Sequence, residues 1–204
     1  MTDNNATSDG RANRSAETQA RIIAVARDEF AEHGFGGASL AAIVRKADVT
    51  TGAIYHHFAD KKGLFQAVAE HLEQEILDHV AALPPLDDPW EAFAQRIGGA
   101  LEICARPDIA RIVFKEAPSV IDPVTWREIE MQYAFGKVCM EIGALAQAGV
   151  IDAPNAELTS KILLGAIIEA AHMVASSEDK ESALVEAQSA ILKMVTALRN
   201  PAQG

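Results

Sequence analysis

The chain has few of the residues that mark several large classes of protein. Its 204 residues include only two cysteines, Cys104 and Cys139, which are far apart and lie in apolar surroundings. We therefore expect reduced core thiols rather than a disulfide or a metal pair. No apolar run approaches the length that spans a bilayer, and the polar segment 1–15 is unlike a signal peptide. These features predict a cytoplasmic protein.

Catalytic motifs are also missing. The sequence has no nucleophile–base pair, no carboxylates at catalytic spacing, no glycine-rich phosphate loop and no cluster of metal ligands. His56 and His57 are adjacent, so on a helix they point about 100° apart and cannot share an ion. The sequence therefore predicts no enzymatic activity, no metal and no cofactor.

The charge is unevenly distributed along a chain of globular composition. Hydrophobic residues make up 49% of the sequence, charged residues make up 23%, and the net charge is −11. Residues 1–62 hold eight basic and eight acidic side chains, so the remainder carries the entire excess of negative charge. A neutral first part with local cations can still meet nucleic-acid phosphates, while an acidic second part faces away from them.

Residues 39–58 have the pattern of two short helices joined by a tight turn. Ser39 and Thr50 are N-cap candidates, and Asp48 can adopt the left-handed conformation that a sharp turn needs. Ile54 and Phe58 would be buried one turn apart. The outward face would suit a major groove, and it comprises Thr51, Gly52, Ala53, Tyr55, His56 and His57. An ordinary helical hairpin with these residues on its surface remains an equal alternative.

From Arg21 to Leu64 the chain resembles the DNA-binding domain of the TetR (tetracycline-repressor-like) family. The similar motifs are Glu32-His-Gly-Phe35, Ser39-Leu-Ala-Ala-Ile43, Ala47-Asp-Val-Thr50 and, most specifically, Gly52-Ala-Ile-Tyr-His-His-Phe58 followed by Lys61-Lys-Gly-Leu-Phe65. One departure is Asp48, where the family usually has glycine, and we expect it to bend the turn slightly. Beyond this region the chain is similar only in being helical and of suitable length.

The resemblance implies an all-α fold of about nine helices. We expect a disordered arm at 1–15, a three-helix helix-turn-helix DNA-binding domain at 16–63, and a ligand-binding and dimerisation domain at 64–200. The first helix would run over 16–33, and the fourth, over 61–83, would contain the domain boundary. Residues 117–119 should break a helix. The helix over 123–148 is apolar on two faces, which predicts a buried central helix.

The implied function is that of a homodimeric transcriptional regulator, most simply a repressor. It would bind a palindromic operator in double-stranded DNA and be released by a small, mainly apolar, lipophilic effector. The expected DNA contacts are Arg14, Ser39, Arg45, Lys46, Thr50, Thr51, Gly52, Ala53, Tyr55, His56, His57 and Lys61. Arg14 belongs to an arm that would reach the DNA or remain a solvated tail. Two alternatives are a DNA-binding protein without an effector and an enzyme or carrier on a reused helical scaffold.

The second domain offers candidates for an effector pocket and for a dimer interface. The pocket candidates are Phe93, Ile97, Leu101, Phe114, Trp126, Tyr133, Met140, Glu169, His172 and Met173, although any one aromatic among them could simply fill the core. Glu169 and His172 could equally lie at a dimer interface or on an exposed stripe. The resemblance implies a four-helix interface built by the last two helices of each subunit, with Leu163, Ile167, Ala170, Val174, Leu184, Ala187, Ile191 and Val195.

Overall fold

The structure, a computed structural model, describes residues 5–200 and the side chains of residues 13–200. The chain divides into two compact units, one ending at His71 and the other beginning at Leu72. We refer to them as the head and the body. Within the described residues there are nine helices and a single isolated β-bridge, between Ile151 and Arg199, which confirms the all-α fold.

Four helices form the head or begin in it. They are α1 (Asn5–Gly37), α2 (Leu40–Ala47), α3 (Thr51–Phe58) and α4 (Lys61–Ala81). The expectation of a disordered arm at 1–15 is wrong from Asn5 onward, because α1 already includes these residues; residues 1–4 lie outside the described part. Lengthening an existing helix adds one hydrogen bond per residue without a new nucleation step, which favours this extension.

The core of the head is centred on phenylalanine rings. Phe65 of α4 packs edge-on against Phe30 and Phe35, with ring centroids 5.0 and 5.3 Å away. Between these two phenylalanines, Gly34 adopts φ 69° and interrupts α1 as the sequence predicts. Buried aliphatic residues from all four helices also belong to this core, namely Ile22, Ile43, Ile54 and Leu64.

The body contains five further helices. They are α5 (Pro89–Cys104); α6, made of the consecutive stretches Pro107–Ile109, Ala110–Glu116 and Ala117–Val120; α7 (Pro123–Gln147); α8 (Ala156–Ser176); and α9 (Lys180–Thr196). Arg106 ties the second half of α4 to the start of α6: its Nη1 donates to Glu75 at 2.5 Å and its Nη2 to Asp108 at 2.8 Å.

The helix α6 corrects the expected break at residues 117–119. Its middle stretch, Ala110–Glu116, is a π-helix, and the chain continues as an α-helix through Pro118. Proline is tolerated here because it lies in the first turn of the last stretch, where its missing N–H costs little. A wide turn inserted into a helix often accompanies a ligand site.

The expectation that α7 is a buried central helix is also wrong. The residues of α7 that are buried are Trp126, Glu130, Ile142 and Leu145, whereas Met140 is 71% exposed. A second apolar face in the sequence does not require a second partner within the same chain, because that face can line a cavity or remain at the surface.

The helix α8 is long and apolar enough to cross a membrane by length and composition, contrary to the expectation that no segment is. Core helices of soluble proteins have the same character, and α8 packs against α6, α7 and α9. Its side chains Leu163, Leu164 and Val174 are buried inside the body.

Candidate functional site

The turn between α2 and α3 is held by local hydrogen bonds. The Ser39 hydroxyl oxygen accepts from the Ala42 N–H at 3.3 Å, and the Thr50 hydroxyl oxygen accepts from the Ala53 N–H at 3.2 Å. Asp48, between them, adopts φ 50° and ψ 54°. The two predicted N-caps and the predicted left-handed turn residue are therefore confirmed.

The helix α3 has one buried face and one exposed face. Ile54 and Phe58 point into the core of the head. The other side carries exposed residues that are small near the start and larger farther along, namely Thr51, Gly52, Tyr55 and His56, with Ala53 and His57 half-buried. Tyr55 is 52% exposed. The helix therefore presents a polar and aromatic ridge to solvent.

The corner between α3 and α4 requires a glycine. The Asp60 carboxylate accepts from the Gly63 N–H at 2.7 Å and thereby caps α4. A Cβ atom on Gly63 would lie 2.0 Å from the carbonyl oxygen of Phe58, far inside van der Waals contact. This close approach of two backbones fixes how α4 leaves α3.

A buried carboxylate that the sequence does not predict positions α2. Glu29 of α1 is 3% exposed, and its oxygens accept from the Ser39 N–H at 3.2 Å and from the Lys46 ammonium at 2.9 Å. The hydrogen bond from Lys46 is the main cause that lowers the pKa of Glu29, and the same bond raises the pKa of Lys46. Lys46, expected at the DNA, therefore already has a partner inside the head.

The other expected cations of the head differ in their surroundings. Arg14, Arg45 and Lys62 are exposed. The Lys61 ammonium lies 4.9 Å from the centroid of the Phe35 ring, in cation–π contact, and its side chain is half-buried. In the sequence, Arg45 on α2 precedes α3 and Lys62 at the start of α4 follows it. Both side chains are exposed.

The body encloses a cavity of about 460 Å³. Side chains of α4, α5, α6, α7 and α8 line it, and most of them are apolar. Its volume lies within the range typical of sites for small molecules. Four of the expected pocket residues line it, namely Phe93, Ile97, Phe114 and Met140.

One end of this cavity contains two buried carboxyl groups. Glu73 of α4 and Glu130 of α7 are 7% and 4% exposed. Burial, and next the charge of Glu130, raise the pKa of Glu73 to about 8. Burial also raises the pKa of Glu130, against the opposing effect of Arg127, and it raises the pKa of the neighbouring Cys104 thiol. These groups resist carrying two negative charges together.

The other end of the cavity carries a paired charge and opens towards solvent. The Arg96 Nε donates to the Glu141 carboxylate at 2.6 Å. Lys137 and Met140, which also line this end, are exposed. Glu130 and Glu141 are eleven residues apart on α7, which corresponds to roughly 16 Å along the helix. The cavity thus has an acidic inner end and a charge-balanced outer end.

Comparisons with known proteins cover both units. Residues 22–68 match the family model described as bacterial regulatory proteins, tetR family, and residues 90–198 match tetracyclin repressor-like, C-terminal domain. The crystal structure of a TetR-family transcriptional regulator from Pectobacterium atrosepticum is similar with a TM-score of 0.81 and 30% identity, over 92% of this chain and 96% of that one. The chain belongs to the TetR family. It is therefore a DNA-binding transcriptional regulator and not an enzyme.

Two other relatives show how far the likeness of this TetR-family chain extends. The transcriptional repressor BepR of Brucella suis is 35% identical over 103 residues, which is 49% of each chain, so the match spans about half of that relative. The structure of RolR in complex with resorcinol has a TM-score of 0.68 at 24% identity and covers 90% of this chain and 89% of that one. At that identity the likeness shows the fold alone.

Several expected pocket residues of this TetR-family chain lie elsewhere. Glu169 is exposed, Met173 is 65% exposed, and neither lines the cavity. Leu101, Trp126, Tyr133 and His172 do not line it either. His172 is nevertheless close, with its ring 5.2 Å from that of Phe114. A helical face can be recognised from the sequence, but the side of a helix that meets a void depends on neighbours distant in the chain.

The expected dimer residues are mostly buried. Six of them are buried within their own chain: Leu163, Ala170, Val174, Ala187, Ile191 and Val195. The other two, Ile167 and Leu184, are half-buried, and Leu163 and Ile167 line the cavity. These six side chains are 0–8% exposed and pack mainly within their own chain, so they offer little surface to a second subunit. Their place at a dimer interface stays a prediction.

Most of the cavity residues missed from the sequence are apolar, but three buried glutamates are also among the site residues missed. Glu29, Glu73 and Glu130 each occur beside apolar residues that the helical period already places inside. Glu73 follows the buried Leu72, and Glu130 lies one turn after the buried Trp126. A glutamate on the inward face of an amphipathic helix is the signal that would have found them.

Proposed function

We propose that this TetR-family regulator is a homodimeric repressor that binds a palindromic operator through α3 and is released by a small, mainly apolar effector in the cavity of the body. In a two-fold dimer the recognition helices would enter successive major grooves about 34–36 Å apart. Like other duplex-binding regulators it would act in the cytoplasm. BepR is named as a repressor, which favours repression over activation.

The observation that carries the DNA-binding part of this proposal is the exposed ridge of α3. Thr51 and Gly52 are small enough for close approach to base edges, and Tyr55 and His56 extend farther as donors. The Ser39 and Thr50 hydroxyl oxygens accept the capping hydrogen bonds, and their O–H groups can still donate to DNA. Arg45, Lys61 and Lys62 are proposed to contact phosphates, and Lys46 chiefly holds Glu29 in place.

Selection of bound duplexes followed by quantitative footprinting tests the ridge. We expect Tyr55→Ala and His56→Ala to lose about 1–3 kcal/mol of operator binding each while leaving the fold intact. His71→Ala, which changes an exposed histidine of α4 outside the ridge, is the matched control and should bind as the wild type does. Unchanged operator affinity in both ridge variants would show that α3 does not bind in the major groove.

The cavity supports the effector part of the proposal. It contacts Glu73, Ile76 and Leu77 on the half of α4 that lies in the body, and α4 begins beside the ridge in the head. An effector that binds more tightly to one arrangement of α4 would lower operator affinity by its difference in affinity for the two states. The complex of RolR with resorcinol is a precedent in the same fold for a small aromatic ligand. A regulator without an effector would have no need of such a cavity.

The outward sides of α8 and α9 are the proposed dimer interface. Large apolar side chains are exposed there, namely Leu158, Ile162 and Met173 on α8 and Val185 on α9. Single exposed apolar residues are common, but three along one face of α8, together with one on the adjacent helix, form a surface that a partner subunit would cover.

Sedimentation of charge-introducing variants tests this interface. Ile162→Glu would place a charge in a desolvated seam at a cost of several kcal/mol per site, so we expect a monomer. Leu86→Glu, which alters an exposed leucine in the loop before α5, is the matched control and should remain a dimer. A wild-type chain that sediments as a monomer at micromolar concentration would contradict the proposed assembly.

A further inference from the structure

The carboxyl groups at the inner end of the cavity have fewer partners than buried acids normally have. Glu130 interacts with the Arg127 and Trp126 side chains, both of which oppose the rise in its pKa. Within the described residues, Glu73 has no hydrogen bond or ion pair, and the buried Oε1 of Glu130 has no hydrogen bond. The His172 Nε2 lies 3.8 Å from that oxygen, too far for a hydrogen bond, and the Arg127 Nη1 lies 3.6 Å from Oε2. An acceptor directed into a cavity without a donor indicates a place for a ligand.

The charges facing this end do not balance. The titratable or charged groups near this end are Glu73, Cys104, Arg127, Glu130 and His172. The other charged residues that line the cavity are Arg96, Lys137 and Glu141. The Arg127 guanidinium offsets one carboxylate at most, and Arg96 at the outer end is already paired with Glu141. A second buried carboxylate must therefore bind a proton or a cation, because an isolated charge in an apolar interior is costly.

Without a ligand, a bound proton neutralises this second carboxylate. Burial and the neighbouring Glu130 hold the pKa of Glu73 at about 8, so near pH 7 its carboxyl group is mostly protonated and neutral. A ligand that brings a positive charge would make this proton unnecessary. A neutral ligand would leave the proton in place and find an apolar chamber with one free acceptor.

We propose that the effector is an organic cation with an apolar body, whose positively charged nitrogen lies between Glu73 and Glu130 and displaces the proton from Glu73. This inference rests on the proposed function, namely that the cavity holds the effector. The apolar body would contact Phe93, Ile97 and Phe114. The exchange is balanced: the cation enters, the Glu73 carboxyl group becomes a carboxylate, and one proton leaves to the solvent.

The exchange gives a signature that simple apolar binding lacks. Binding of a permanent cation should release nearly one proton at pH 7. Its affinity should rise about tenfold from pH 6 to pH 7 and level off above pH 8, because the cation binds the ionised form of Glu73. An uncharged ligand of the same shape should release no proton and bind equally at both pH values.

Isothermal titration of the full chain in buffers of different ionisation enthalpy measures the released proton. The probe is benzyltrimethylammonium, compared with neopentylbenzene, in which carbon replaces nitrogen. Glu73→Gln should abolish the proton release and the pH dependence, and Glu130→Gln should weaken cation binding at least tenfold. Glu102→Gln, an exposed glutamate of α5 away from the cavity, is the matched control and should behave as the wild type does. Equal affinity for the two probes, or proton release that persists in Glu73→Gln, would overturn the inference.

Operator binding measured with the same probes separates this inference from the proposed function. Cation binding with proton release but without operator release supports the inference and contradicts the effector role of the cavity. Operator release by a neutral aromatic compound such as resorcinol, with no binding of the cation, supports the effector role and overturns the inference. Operator release by the cation with loss of one proton supports both.

Discussion

The head and the body of this regulator treat buried charge in opposite ways. In the head, Glu29 is buried but accepts hydrogen bonds from the Ser39 N–H and from Lys46. In the body, Glu73 and Glu130 are buried to a similar degree but border a cavity. Within the described residues Glu73 has no such donor, and the Oε1 of Glu130 accepts no hydrogen bond although Arg127 lies 3.6 Å from its Oε2. A buried polar network in which every group is hydrogen-bonded makes the structure around it rigid. A network with unsatisfied acceptors favours the binding of a ligand that supplies the missing donors. The difference suits a head that keeps one shape and a body that responds to a ligand.

Two glycines, one in each unit, differ in the space around them. At the α3–α4 corner of the head there is no room for a methyl group on Gly63. Gly136 on α7 of the body is exposed, and a Cβ atom there would meet nothing within 4 Å. The backbone contact at Gly63 fixes the corner that follows the ridge, whereas Gly136 faces open space.

The largest expected effect comes from adding a methyl group in each unit. Gly63→Ala forces two backbones apart, so we expect loss of stability beyond the about 4–5 kcal/mol that marks exceptional substitutions, together with loss of operator binding. Gly136→Ala should instead stabilise by about 0.5–1 kcal/mol, because alanine is the better residue in a helix interior. Chemical denaturation measures both. Equal effects of the two substitutions would mean that the backbone around Gly63 can move apart to accommodate a methyl group.

A second expected effect is a pH dependence of opposite sign in the two units. The pKa of Glu73 is raised to about 8, so folding retains a proton that the unfolded chain loses above its ordinary pKa of 4.5. Its contribution to stability is therefore fully present below pH 4.5 and is lost as the pH rises towards 8. Glu73→Gln should remove this dependence and gain about 2–4 kcal/mol over the wild type at pH 8.

Glu29 in the head provides the opposite case. Its pKa is lowered, chiefly by the hydrogen bond from Lys46, so its contribution is present near neutral pH and is lost as the pH falls through the lowered value. Glu29→Gln should therefore destabilise the protein at pH 7. Denaturation curves recorded from pH 4 to pH 9 compare both variants with the wild type. Stabilisation at pH 8 by both substitutions would erase the proposed contrast between head and body.

The smallest expected effect concerns the turn of the head. Asp48 adopts φ 50°, a conformation that costs most residues about 1–2 kcal/mol. Asp48→Gly should relieve this strain and, after the entropic cost of glycine, stabilise by up to about 1 kcal/mol. Asp48→Ala should destabilise by a similar amount, since alanine lacks the polar group that lets aspartate tolerate the conformation. If both variants lose stability, the Asp48 side chain contributes more to the turn than its backbone strain costs.

Much of the head could be predicted because its signals are local. Ser39, Thr50 and Asp48 act on backbone groups within a few residues of themselves, and Ile54 and Phe58 are separated by one turn. Such features survive in any structure that contains the two helices. The partnership of Glu29 with Lys46 could not be predicted in the same way, because it joins residues 17 positions apart on different helices.

The sequence by itself determined that this protein is helical, where most helices begin and end, and that its first part carries the helix-turn-helix pattern of the TetR family. These follow from caps, periodicity and short motifs, which depend on neighbouring residues. Only the tertiary structure decided that α6 continues through Pro118, that Ile191 faces inward, and that Glu73 and Glu130 share one cavity. The physical reason is that burial and charge environment are set by side chains from distant helices, which a linear pattern does not contain.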